Sequence, residues 1–154
     1  MIDLIFAVHD PVAWHAANLR QFPTHYSGLR WLGPRAVAAV QDWGAGVYFN
    51  TLVPLLDCQI KYGVVSVRRL EHDLRTWDTL YLSGRLHKPV TVLRDLPSIR
   101  SALDANRASA LVTALLLLPE RFTTAELLNT IVALSYTGTG RRAKFLLLLD
   151  SARA

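Results

Sequence analysis

The sequence predicts a mixed α/β (α+β) fold whose second half is wholly helical, and three observations carry that expectation. Runs rich in Ile, Val, Leu, Tyr and Phe at Met1–Val8, Val47–Leu56 and Gln59–Val67 have the length and β-branched content of strands. Between and after them, apolar residues recur at helical spacing, as in Leu70, Leu74, Trp77 and Tyr81. From Ser98 the composition then shifts toward Ala and Leu. A chain of 154 residues, 51% hydrophobic and 19% charged, has enough apolar material for a packed core.

Taken in order, Met1–Val8 reads as a buried strand with one carboxylate, Asp3, inside its apolar run. Pro11 suits the first position of a helix through Leu19, since the N–H it lacks is unpaired there in any case, and the helix should stop near Phe22-Pro23. Thr24–Leu32 is mixed and aromatic. Gly33-Pro34 should break the chain ahead of a short helix over Arg35–Trp43, and Gly44-Ala45-Gly46 turns it sharply. Val47–Asn50 and Leu52–Leu56 form one strand or two, and Gln59–Val67 forms another. An amphipathic helix is expected over Arg69–Tyr81, then a short strand at Val90–Leu93. Ser98–Leu118 makes one helix or two, and Thr123-Thr124-Ala125-Glu126 is a capping-box pattern ahead of a helix to Ser135. Tyr136–Gly140 is turn-rich, and the basic Arg141-Arg142-Ala143-Lys144 leads into Phe145–Leu149.

Composition excludes several classes. With 17 Lys and Arg against 12 Asp and Glu the net charge is +5, and the pI is near 9.8, so anionic partners are favoured. One cysteine, Cys58, excludes an intrachain disulfide framework or a Cys-rich zinc site and points to a reducing compartment. The apolar stretch Ala108–Leu118 is far shorter than the roughly 20 residues that span a bilayer, so no transmembrane helix is expected. Met1–Val8 has neither a basic leader nor the pattern of a mitochondrial presequence.

Among candidate chemical groups, Asp3 stands out because a carboxylate on an apolar strand is costly unless a cation or hydrogen bonds offset it. It is either a metal ligand or the exposed end of its strand. Lys61 is either a phosphate contact or a surface lysine snorkelling past apolar neighbours. Asp57 is a further metal ligand or a turn residue, and Gly44 and Gly46 only loosely resemble a phosphate-cradling turn. Arg85 and Lys88 form a compact basic turn that is solvated or binds an anion. His9, His15 and His25 lack zinc-site spacing, and Trp14, Trp31, Trp43 and Trp77 lie in contexts that favour packing.

Read together, Ile2–Val8, Asp10–His15, His25-Tyr26-Ser27, Gly44–Asn50 and Ile60–Val64 resemble, in order and spacing, the mitochondrial translocator assembly and maintenance family of phosphatidate cytidylyltransferases, or CDP-diacylglycerol synthases. The likeness continues through Trp77, Leu80–Val90, Arg100–Asp104 and Leu118-Pro119-Glu120 to Leu134–Gly138. It implies a partial polymerase-β-type nucleotidyltransferase domain over residues 1–94, a winged-helix-like helical domain over 95–138 and a divergent tail over 139–154. It also implies cytidylyl transfer from CTP to phosphatidic acid with Mg2+, feeding cardiolipin and phosphatidylglycerol synthesis. The place implied is the matrix face of the mitochondrial inner membrane, peripherally on its anionic surface. Asp3 matches the family's metal-binding strand acid, and Lys61 lies in its Lys-Tyr-Gly block at a plausible triphosphate contact.

Two departures from the family shape the expectation for this chain. The resemblance implies an upstream strand and Gly-Ser-Gly turn before the block that matches Met1–Val8, and a longer region after Gly138. A fragment truncated at both ends is therefore expected, folding imperfectly and turning over CTP weakly. The competing reading is a non-catalytic module binding protein or anionic lipid. Nucleic acid is disfavoured, because no helix carries a dense basic stripe.

Overall fold

The computed structural model describes residues 2–137. Within them the chain forms strand β1 (Ile2–Val8), helices α1 (Pro11–Gln21) and α2 (Gly33–Gln41), strands β2 (Val47–Leu55) and β3 (Cys58–Ser66), and helices α3 (Val67–Thr76), α4 (Leu82–Arg85), α5 (Pro97–Leu117) and α6 (Thr124–Thr137). Two 3-10 turns, Pro23–His25 and Gly28–Leu32, join α1 to α2. The expected mixed α/β class is present. The basic cluster Arg141–Lys144, Phe145–Leu149 and the rest of 139–154 lie outside the described residues. The chain divides into two compact units at Leu70/Glu71, within α3, and the compositional shift near Arg94 falls inside the second.

In the first unit the sheet order is β1-β3-β2, with β3 parallel to β1 and antiparallel to β2. Being central, β3 buries Tyr62, Gly63, Val64 and Val65, whereas β1 has a neighbour on one side only and leaves Ile2 and Phe6 exposed. This corrects the expectation of a buried first strand: among the described residues β1 is paired on one side only, and part of its apolar surface stays open. Val53, Ile60, Tyr62 and Val64 form the core on one sheet face, with Leu4, Val8 and Trp14 packed against them.

Asp10 caps α1 by accepting the Ala13 N–H at 3.0 Å, with Pro11 at the first helical position as expected. The Gly33-Pro34 pair opens α2 rather than simply interrupting the chain. One strand, not two, covers Val47–Leu55. Asn50 pairs with Tyr62 and Val53 with Ile60, so Thr51 and Leu52 together oppose the single residue Lys61. That bulge, with Leu52 at a left-handed φ of 57°, turns Leu52 outward at 66% exposure and Val53 inward at 3%.

In the second unit, helix α3 ends at Thr76, five residues before the predicted limit. The stop has a clear cause in Asp73, whose fully buried carboxylate takes backbone N–H groups that a continuing helix would have used elsewhere. Its Oδ1 accepts the Thr79 N–H and hydroxyl at 2.8 Å each and the Leu80 N–H at 3.2 Å. Its Oδ2 accepts the N–H groups of Leu82 at 3.1 Å and Ser83 at 2.8 Å. Burial alone would raise this carboxyl, but the bonds from Ser83 and Thr79 outweigh it and hold the pKa below the ordinary value. Trp77 leaves the helix at a φ of 55° and donates its indole N–H to Asn106 Oδ1 at 2.7 Å, while Asn106 Nδ2 donates to the Ser83 carbonyl at 3.0 Å.

Ala102, Ala110 and Ala114 give α5 a buried stripe of small residues, and α5 packs on α6. At Gly84 the α6 backbone comes so close that an added Cβ would lie 2.9 Å from Ser135 Cα. The predicted capping box is realised: Glu126 accepts the Thr123 N–H at 2.7 Å and hydroxyl at 2.9 Å, and Thr123 Oγ1 accepts the Glu126 N–H at 3.2 Å. One local expectation fails. Val90–Leu93 forms no strand, because it follows Pro89 along the surface with Leu93 82% exposed and pairs with nothing in a ladder. Of the turn-rich stretch Tyr136–Gly140, Tyr136 and Thr137 continue α6, and 138–140 lie outside the described residues.

Asp73→Asn replaces an acceptor-only carboxylate with an amide whose NH2 faces donors, and should lower stability by about 3 kcal/mol in urea melts at pH 7. Since the folded carboxyl is held low, its contribution is complete above about pH 4 and disappears as pH falls through the folded pKa. The difference between wild type and the variant should therefore narrow in acid.

Candidate functional site

The parallel register places Asp3 directly beside Lys61. Neighbouring strands lie about 4.8 Å apart and side chains alternate between faces, so these two share one face of the sheet. The core residues Ile60, Tyr62 and Val64 point to the other. Asp3 is exposed and Lys61 half-buried. The Lys61 ammonium rests 4.4 Å from the centroid of the Phe49 ring, a cation–π arrangement, and the β2 bulge lies opposite it. An acidic position and a basic position adjacent on neighbouring strands, beside a bulge, make this face of the sheet polar at one point, with the lysine leaning over Phe49 on the β2 side. That point has one hard oxygen donor group for a cation and one positive charge for an anion.

The other sequence candidates are placed elsewhere. Asp57 sits with Leu56 in the two-residue turn joining β2 to β3. It is four positions before Lys61, about 13 Å along an extended chain. Among the described residues, no group of three or more His, Cys, Asp or Glu side chains gathers to hold a metal. Gly44 and Gly46, at φ of 60° and 71°, turn the chain from α2 into β2. The turn is clamped by Arg69, whose Nη2 donates to the Gly44 carbonyl at 3.1 Å and whose Cγ would lie 2.6 Å from a Cβ added at Gly46. Arg85 and Lys88 are exposed in the second unit, the Arg85 guanidinium lying 5.0 Å from the centroid of the Tyr81 ring.

Behind Lys61, on the opposite sheet face, lies a polar network that the residue spacing did not reveal. His15 Nε2 donates to Gln41 Oε1 at 2.8 Å, which leaves Nδ1 of the neutral ring to accept from the Tyr26 hydroxyl at 2.9 Å. Asn18 Nδ2 donates to Tyr26 at 2.9 Å and to Tyr62 at 2.8 Å, and Tyr62 donates in turn to His25 Nδ1 at 2.8 Å. Each hydroxyl thus accepts once and donates once. Burial lowers the pKa of His15, against the pull of its Gln41 bond, and lowers that of His25. Burial pushes the Tyr26 hydroxyl up to about 12, with Asn18 opposing and Tyr62 adding, and raises Tyr62 as well. All four groups are therefore held neutral near pH 7. The available signal was the pair His15 and Asn18, one turn apart on a helix that also carries Trp14 and three alanines.

The family described as "Phosphatidate cytidylyltransferase, mitochondrial" matches residues 1–145. Curated proteins of that name are 52% identical over 144 residues in Danio rerio and 55% identical over 147 in Drosophila melanogaster, each match covering 92% of this chain and 43% of the relative. The Schizosaccharomyces pombe protein of that name is 46% identical over 146 residues, covering 94% of this chain and 37% of its own length. The chain thus spans about two fifths of the length of these relatives.

Because the folded state refuses a proton on His15 that the unfolded chain accepts, stability should be greatest above about pH 6.5 and fall as pH drops below it. Urea midpoints at pH 7.5 and 5.5 measure this. His15→Gln should lower stability by about 2 kcal/mol at pH 7.5 and flatten the pH slope without abolishing it, since His25 shifts in the same direction.

Proposed function

The chain belongs to the mitochondrial phosphatidate cytidylyltransferase family, and we propose that it carries the nucleotide-handling part of that activity. In the reaction, a phosphate oxygen of phosphatidic acid attacks the α-phosphorus of CTP, the bond to the β-phosphate oxygen breaks, and CDP-diacylglycerol and pyrophosphate leave. The observation that carries the reading is the register of Asp3 with Lys61 on one face of the sheet. Lys61 contacts the triphosphate as a point charge, and its attraction for the departing pyrophosphate grows as the bond breaks. Residues 1–94, with the sheet and helices α1–α4, belong to a partial polymerase-β-type nucleotidyltransferase domain, and α5 and α6 to a winged-helix-like one over 95–138.

Mg2+ fits this patch as a triphosphate-borne ion. Asp3 would hold it with one carboxylate on the strand beside the lysine, and the ion would neutralise charge on the triphosphate. Asp57, out in the hairpin turn, belongs to no such set on its own. Arg85 and Lys88 are exposed cations suited to an anionic phosphate or headgroup. No helix among the described residues is long and apolar enough to cross a membrane. The family resemblance is what points to peripheral work at the matrix face of the inner membrane. The product supplies cardiolipin and phosphatidylglycerol synthesis.

The test uses labelled CTP and phosphatidic acid liposomes with Mg2+, on this chain and on a chimaera in which residues 1–145 replace the matching segment of the Danio rerio relative. The chimaera should form CDP-diacylglycerol. Asp3→Asn should reduce turnover by at least about a hundredfold and Lys61→Ala by about tenfold to a hundredfold, on the scale of losing one group that stabilises transition-state charge. An active chimaera indifferent to both substitutions would remove this patch from the site. A folded but inactive chimaera would instead favour a non-catalytic binding module.

A further inference from the structure

We infer that Phe49 is a positioning residue for the Lys61 ammonium, an inference that rests on the phosphate role of Lys61 proposed above. Phe49 is paired with Gly63 across the β2–β3 ladder, two residues along β3 from Lys61, so its ring lies on the Lys61 face. Gly63 makes the space for it: a Cβ added there would lie 2.7 Å from Phe49 Cε1 and 3.0 Å from Val47 Cγ2. The bulge at Thr51 and Leu52 gives Lys61 no one-to-one partner on β2, and its ammonium comes to rest 4.4 Å from the centroid of the Phe49 ring.

The physical consequence concerns freedom and charge together. A lysine ammonium on its four-carbon stem is mobile, and ordering it opposes phosphate binding. The aromatic face restrains the ammonium through its quadrupole without itself neutralising the charge, and leaves N–H donors directed away from the ring. A carboxylate in the same place would restrain it too, but would also neutralise it. Gly63, Phe49 and Lys61 therefore act in sequence: the glycine leaves room, the ring fills it, and the ammonium is poised over the ring for a polyphosphate oxygen.

Two measurements on the whole chain test this. The first is 13C-dimethylation of its three lysines, Lys61, Lys88 and Lys144, followed by NMR, with Lys61→Arg identifying the Lys61 signal. Ring current from Phe49 should displace that signal upfield. Phe49→Leu should abolish the displacement, Phe49→Tyr should keep it, and Gly63→Ala should reduce it by pushing the ring aside. The second is calorimetric titration with CTP and Mg2+, on variants whose circular dichroism matches wild type. Phe49→Leu should bind about three- to tenfold more weakly, the range of a cation–π contact, with Phe49→Tyr near wild type. In the Lys61→Ala background, Phe49→Leu should then add nothing.

The outcomes separate the inference from the reading beneath it. If Lys61→Ala weakens CTP binding but Phe49→Leu does not, the lysine holds phosphate and Phe49 does not position it. An equal loss from Phe49→Leu with or without Lys61 would make Phe49 merely structural and overturn the inference. If Lys61→Ala binds like wild type, or wild type binds no CTP, the phosphate role of Lys61 fails and this inference with it. An unshifted Lys61 signal in wild type would show that the stack is not populated.

Discussion

The pleat of β3 is the constraint on which the first unit depends. Its side chains alternate between two faces, and the two faces have different tasks. Ile60, Tyr62 and Val64 point toward α1 and form the core with Leu4, Val8 and Trp14. Lys61 and Gly63 point the other way, toward Asp3 and Phe49. A one-residue slip of β3 against its neighbours would send Lys61 into the core and Tyr62 out of its hydrogen bonds, at a cost of several kcal/mol for the stranded charge alone. Register is thus held from the core side, and the polar patch inherits its geometry without having to stabilise it.

Tyr62 links the two sides most directly. Its ring packs edge-on against Phe6 at 5.7 Å and against Trp14 at 6.1 Å, and its hydroxyl is held by Asn18 and His25. A buried hydroxyl with both functions satisfied is directional in a way that an aliphatic side chain is not, so it fixes the depth and rotation of the strand as well as its burial. Lys61 immediately precedes Tyr62 in the chain. The second unit solves its own problem similarly, with one buried carboxylate. Asp73 gathers donors from Thr79 to Ser83 and thereby shapes the passage from α3 into α4. In both units, a few polar groups with complete hydrogen bonding define how the apolar material around them packs.

Much of this architecture was legible in the residues. The Pro11 helix start, the Gly44–Gly46 turn and the Thr123–Glu126 capping box are local chemistry, decided within four residues, and each forms as its sequence predicts. The errors share a different character. β1 has the composition of an interior strand but, among the described residues, a partner on one side only. Arg69–Tyr81 has the periodicity of one helix, but Asp73 captures the backbone that would have extended it. Val90–Leu93 has strand composition without a partner strand. In each case the local pattern was read correctly and a non-local partner, present or missing, decided the result.

The sequence by itself determined the α/β class, the helical second half, most of the element boundaries that rest on Pro, Gly and capping residues, and the family, because ordered blocks of residue types survive without reference to space. It also marked Asp3 and Lys61 as chemically unusual on apolar strands. Tertiary structure alone decided that these two, 58 positions apart, stand side by side, since register is a property of two strands and not of either. It likewise decided that Phe49 lies beneath the ammonium and Gly63 beneath the ring, that Gly44 and Gly46 are clamped by Arg69, and that His15, Asn18, Tyr26, Gln41 and Tyr62 form one network. Hydrogen bonds and ring contacts act over a few ångströms, so which residues they join depends on how the distant segments that carry them are packed together.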